Sequence, residues 1–118
     1  MLNITEFIGV GRENAVTRRE LANILHLPDR TIRRLIADAR NSGELIVNDG
    51  SGDGYYISDD LGELYKQLST NRRRALSILQ QQKHLWRRIA ELNGADQMTI
   101  DEIMEDIDVY MLKLQGDI

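Results

Sequence analysis

Arg30, Arg33 and Arg34, with Asn41 two helical turns further along, are the side chains whose type and spacing point to chemistry. At 100° per residue they fall on one side of a helix together with Ala37, while Ile32, Leu35, Ile36 and Ala39 fall on the other. A guanidinium carries a planar fork of donors that fits the major-groove edge of guanine or the oxygens of a phosphate. Thr31, beside the start of the helix, has the reach for a phosphate or a thymine methyl. An ordinary solvated helix with arginines for solubility gives the same wheel, so the weight falls on the elements around it.

Those elements are legible in order. Thr17 with Glu20 forms a capping box that opens a helix through Leu25. His26-Leu27-Pro28 breaks it, Asp29 caps the arginine helix, and Gly43 ends that helix. Glu44 to Asn48 and Tyr55 to Ser58 are β-branched and aromatic runs around Asp49-Gly-Ser-Gly-Asp-Gly54, which predicts a β-hairpin. Upstream, Ile4, Phe7 and Ile8 share a helical face, Gly9 and Gly11 stop it, and Ala15-Val16 suits a very short strand. Downstream, Ser58 caps a helix with Leu61, Leu64, Tyr65 and Leu68 as its buried face. A new helix starting near Ser69 would place Arg72, Arg73 and Arg74 at a positive dipole end, which favours one long helix to about Leu92. Asn93-Gly94 ends it. Thr99 with Glu102 opens a last helix to about Gln115, apolar at Ile100, Ile103, Met104, Ile107, Tyr110, Met111 and Leu114.

Across residues 4–68 this order resembles the winged helix-turn-helix family of bacterial and phage DNA-binding regulators. The resemblance is carried by Glu-Leu-Ala at 20–22, Arg-Thr-Ile-Arg-Arg at 30–34, Ser-Gly-Glu-Leu-Ile at 42–46 and Gly-Tyr-Tyr-Ile at 54–57. It implies a mainly α fold with a small β-hairpin: a winged helix-turn-helix domain over 1–68 and a C-terminal helical extension over 69–118. It further implies sequence-specific binding of double-stranded DNA by a small dimeric transcriptional regulator or a phage or plasmid accessory factor. Helix 30–42 would then be the recognition helix and 48–54 the wing, with Arg30, Thr31, Arg33, Arg34, Asn41 and Ser51 as the contacts. Two departures stand out. His26 replaces the turn glycine, which histidine's tolerance of the left-handed region permits. The wing tip offers Asp49 and Asp53 and no cation, so phosphate gripping there falls to backbone amides, Ser51 or a tyrosine hydroxyl. Some winged helices bind proteins instead, so an interaction adaptor using the acidic C-terminal helix stands as the alternative reading.

Composition bounds the rest. A net charge of −4 is split unevenly: residues 1–90 hold 14 Lys or Arg against 11 Asp or Glu, and residues 91–118 hold one lysine against eight acids. With no cysteine there is no disulfide, thiolate metal site or cysteine nucleophile. No stretch approaches the ~20 apolar residues of a membrane span, and the expected location is cytoplasmic. His26 and His84 stand in no metal or triad spacing, and nothing pairs a nucleophile with a base, so neither enzyme activity nor a cofactor is expected. The loop from Asp49 to Asp60 approaches a calcium pattern but carries Asp at its twelfth position and is entered from a strand.

The second half of the chain reads as an oligomerisation arm. Ala75, Leu79, Trp86 and Ile89 approximate one stripe, with Leu76, Leu85 and Leu92 beside it and Gln82 interrupting. The last helix is expected to pack on Leu85, Ile89 and Leu92, and the surface left over predicts a homodimer through residues 72–92 and 99–115. The arginines at 72–74 and 87–88 either extend the phosphate-contacting surface or balance the acidic last helix through salt bridges within or between chains, and the second reading is favoured.

Overall fold

In the computed structural model, which describes residues 2–48 and 54–116, the chain is mainly helical with a small antiparallel three-stranded sheet. Strands β1 (Val16–Thr17), β2 (Ile46–Asn48) and β3 (Gly54–Ile57) lie in the order β1-β3-β2, with Val16 opposite Tyr55 and Val47 opposite Tyr56. The helices are α1 (Arg18–Leu25), α2 (Asp29–Asn41), α3 (Leu61–Leu92) and α4 (Gln97–Gly116). The chain divides into two compact units, Met1–Gln67 and Leu68–Ile118.

The first unit is built on a core of Ile4, Ile8, Val16, Leu21, Ile32, Ile36, Ile46 and Tyr55, with Leu25, Leu27, Leu35 and Ala39 packed around it. Burying side chains of this kind contributes ~1.5–3 kcal/mol each. Leu21 of α1 and Ile32 of α2 are fully enclosed, so the two helices are locked through their apolar faces. Between them His26 takes the left-handed conformation (φ 55°, ψ 44°), with its N–H and that of Leu27 both donating to the Ala22 carbonyl. Thr17 Oγ1 accepts the Glu20 N–H at 3.1 Å, and its hydroxyl donates to the Glu20 carboxylate at 3.3 Å. At the far end of α2, Gly43 (φ 102°) donates to the Arg40 carbonyl and Glu44 to that of Ala39, a Schellman closure that a side chain at 43 would strain.

Four sequence expectations are corrected in this unit. Pro28, not Asp29, caps α2: its carbonyl accepts from Thr31 and Ile32, leaving the Asp29 side chain to arginines. The helix expected from Ile4 is a single 3-10 turn at Ile4–Phe7, leaving Phe7 exposed. Beyond it the backbone turns to the sheet, where Gly9 accepts from Ile57 and Gly11 donates to it. Gly9 also lies so near Asn14 that a Cβ would sit 2.5 Å from the Asn14 Cβ. Asp60 rather than Ser58 caps α3, its Oδ2 accepting the Glu63 N–H at 3.0 Å. Leu61, Tyr65 and Leu68 are exposed rather than buried, because the inward positions of this helix go to Glu63, Leu64 and Gln67. Ser58 is itself buried and donates to Glu63 Oε1 at 2.7 Å, the Tyr56 hydroxyl donates to Glu63 Oε2, and Gln67 Oε1 accepts the Asn48 N–H at 3.0 Å.

In the second unit, α4 runs antiparallel to the later part of α3: Ala90 packs on Ile100 and Met104, while Lys83 reaches back to Asp108 at 2.7 Å. The α3 end closes as α2 does, Gly94 donating to Glu91 and Ala95 to Ala90. Asp96, not a Thr99–Glu102 box, caps α4 by accepting the Thr99 N–H at 2.8 Å, and that bond lowers the Asp96 pKa. The expected packing of α4 on Leu85, Ile89 and Leu92 is not what forms; all three are exposed, and the small Ala90 lets α4 approach on the adjacent face.

Candidate nucleic-acid interface

Helix α2 owes its orientation to Ile32 and Ile36, which are buried, and to Leu35 and Ala39, which are half-buried. That fixes the opposite face. Arg30, Arg33, Arg34, Ala37 and Asn41 are exposed there, and Thr31 is half-buried at the edge. Five of the six residues singled out in the sequence thus share one helix, and four of them are solvent-facing. Ser51 and the loop acids Asp49 and Asp53 lie outside the described residues.

The arginines on this face are not equivalent. Arg33 Nε lies 2.9 Å from Asp29 Oδ2, one turn back, so its charge is engaged. Arg30 and Arg34 form no ion pair with any described residue. Arg34 borders a shallow depression shared with Asn3, Leu35, Asp38, Ser42 and Glu44. Its neighbourhood is therefore mixed in sign, whereas Arg30 lies exposed in the first turn of the helix.

Two further arginines shape the site, and no periodic signal in the sequence marks either. Arg18 of α1 donates from Nε to Asp29 at 3.0 Å and from Nη1 to the Tyr55 hydroxyl at 3.3 Å. Its pKa is raised, first by the Tyr55 bond and then by Asp29, so it stays charged while tying α1, α2 and β3 together. Arg40, on the flank of α2, donates from Nε to the Ile46 carbonyl at 3.0 Å and from Nη2 to Asn48 Oδ1 at 2.7 Å. Its guanidinium lies 5.6 Å from the Tyr55 ring centre. Arg40 therefore braces α2 against β2 at the start of the loop and is structural.

Among the described residues of the chain, no arginine of α3 makes an ion pair with α4. Lys83 makes the ion pair between the two helices, and Arg88 pairs with Glu91 on its own helix at 3.1 Å. Among the described residues no cluster of His, Cys, Asp or Glu could hold a metal ion, and no helix is long and apolar enough to cross a membrane. Comparison of the chain with protein-family models, with curated proteins and with solved structures gives no match.

Proposed function

We propose that the chain binds double-stranded DNA in a sequence-specific manner as a winged helix-turn-helix regulator or accessory factor, acting in the cytoplasm. The observation that carries the reading is the division of α2, with Ile32 and Ile36 buried on one side and Arg30, Arg34 and Asn41 free on the other. A helix anchored in this way can enter a major groove without uncovering its core. Arg30 and Arg34 hold no ion pair with a described residue that contact with a base or phosphate would break, whereas Arg33 must leave or share Asp29. The left-handed turn at His26 supports the helix-turn-helix geometry, and the brace from Arg40 to Asn48 fixes β2, where the wing begins.

Selection of binding sites from random duplexes, followed by titration at several salt concentrations, tests the proposal. A DNA reader enriches a defined motif and loses affinity steeply as salt rises. The Arg30→Ala/Arg33→Ala/Arg34→Ala variant, shown folded by circular dichroism, should lose the selected site. A chain that retards no duplex at low salt is not a DNA binder, and the protein-adaptor reading then takes its place.

A further inference from the structure

Along α2, Arg34, Asp38 and Ser42 succeed one another at four-residue steps, each ~6 Å further along the helix axis. This row borders a depression of about 560 Å³, lined also by the segment Leu2 to Ile4 and by Glu44 beyond the helix end. All of it lies within the first compact unit. Its apolar lining comes from Ile4, which is buried, from Leu35 and Ala39, which are half-buried, and from Leu2, which is exposed. The charged lining is open. Arg34 precedes Asp38 by one turn, the less favourable order for a helical ion pair. Among the described residues neither of them, nor Glu44, holds an ion pair. Asn3 Oδ1 accepts from the N–H and the hydroxyl of Thr5, at 3.1 and 2.6 Å, while its amide nitrogen donates to no described residue.

We propose that this depression binds a small zwitterion with an apolar body: an α-amino acid or a dipeptide with apolar side chains. Each part of such a ligand has its counterpart. The carboxylate suits the guanidinium fork of Arg34, with the Asn3 amide as a further donor. The ammonium suits the Asp38 carboxylate one turn along, or Glu44 for the longer dipeptide. The apolar side chain covers Leu2, Leu35 and Ala39. The volume falls within the ~300–1,000 Å³ of small-molecule sites. Charge decides the class. A plain anion would meet two carboxylates against one guanidinium, and a plain cation would face Arg34. An uncharged apolar molecule would desolvate three charges without compensation. A ligand carrying both charges satisfies the set. Arg34 also stands on the outward face of α2, so the consequence for regulation rests on the DNA reading. There, a ligand holding this guanidinium takes one cation from the duplex contact, and ligand and DNA oppose each other's binding.

The site is tested without DNA, on the full chain, by calorimetric titration and by amide shifts in NMR spectra. The probes are leucine, isoleucine, phenylalanine and the dipeptide leucyl-leucine. At least one should bind saturably and shift the amides of Asn3, Leu35, Ala39 and Glu44. Tighter binding of leucyl-leucine identifies a peptide ligand, and tighter binding of a single residue identifies a free amino acid. The N-acetyl and C-amide derivatives of the best probe, each lacking one charge, should bind at least about tenfold more weakly. Glycine, which lacks the apolar body, should do the same. Asp38→Asn, at an exposed position whose side chain has no partner among the described residues, should weaken the best probe to a similar degree with unchanged helicity. Saturable binding of none of the probes overturns the proposal, as does binding that survives Asp38→Asn or the loss of either ligand charge. A separate titration with the selected duplex should show affinity reduced several-fold by saturating ligand in the wild type. A chain that binds the ligand but no duplex supports the site and overturns the DNA reading. Unaltered duplex affinity with the ligand bound overturns the competition.

Discussion

The Asp29 carboxylate grips Arg33, one turn further along α2, at 2.9 Å, and takes Arg18 of α1 at 3.0 Å through its other oxygen. One acid thus joins the two helices and also engages one of the arginines on the outward face. Both partners of the Arg33 pair are at least half exposed, so the pair contributes only ~0–1 kcal/mol to stability. Its effect on a polyanion is larger in kind. Asp29→Asn should raise duplex affinity and steepen the salt slope by about one, with a small change in the urea midpoint. Weaker binding by this variant would mean that Asp29 orients the helix rather than restraining it.

Arg30 and Arg34 should separate by single substitution. An arginine that reads a base should cost ~1–3 kcal/mol on replacement by Ala and relax preference at one position of the selected site. An arginine that holds phosphate should weaken all duplexes alike and lower the salt slope by about one. Titration of each variant against the selected site and a scrambled duplex distinguishes the two. Unchanged binding by both would remove α2 from the groove.

Arg40→Ala should act on stability first. It deletes charged hydrogen bonds to the Ile46 carbonyl and to Asn48, together with the ring contact to Tyr55. Bonds of this kind contribute ~1.5–3 kcal/mol, and urea denaturation should show a loss of that order. An unaltered midpoint would count against the brace.

Glu63 should give the fold an acid-sensitive step. Its pKa is lowered by the hydrogen bond from Tyr56 first and that from Ser58 second, with Arg12 nearby at 3.6 Å. A carboxyl depressed on folding contributes stability that is full above its ordinary value, near 4.5, and lost as pH falls through the lower folded value. Urea midpoints of the wild type should therefore fall as pH drops below 4.5. Glu63→Gln should be less stable near neutrality and should lose this part of the dependence. Parallel curves for the two proteins would place the acid sensitivity elsewhere.

Local chemistry determined much of this protein. The left-handed residue at His26, the stops at Gly43 and Gly94, the continuous helix through Arg72–Arg74 and the buried face of α2 were all legible. Each depends on residues a few positions apart, where backbone preference and helical period decide. The wheel of α2 likewise identified its exposed arginines. Tertiary structure decided which charges are free, because the partners of Arg18 and Arg40 lie across the fold, in β3 and β2, and no period encodes them. It also moved the caps of α2, α3 and α4 by one to three residues, since Asp29 is claimed by arginines and Ser58 by Glu63. Finally, it chose between the two apolar faces of α3. Both have helical spacing, and only the approach of α4 to the small Ala90 shows which is covered and which stays exposed.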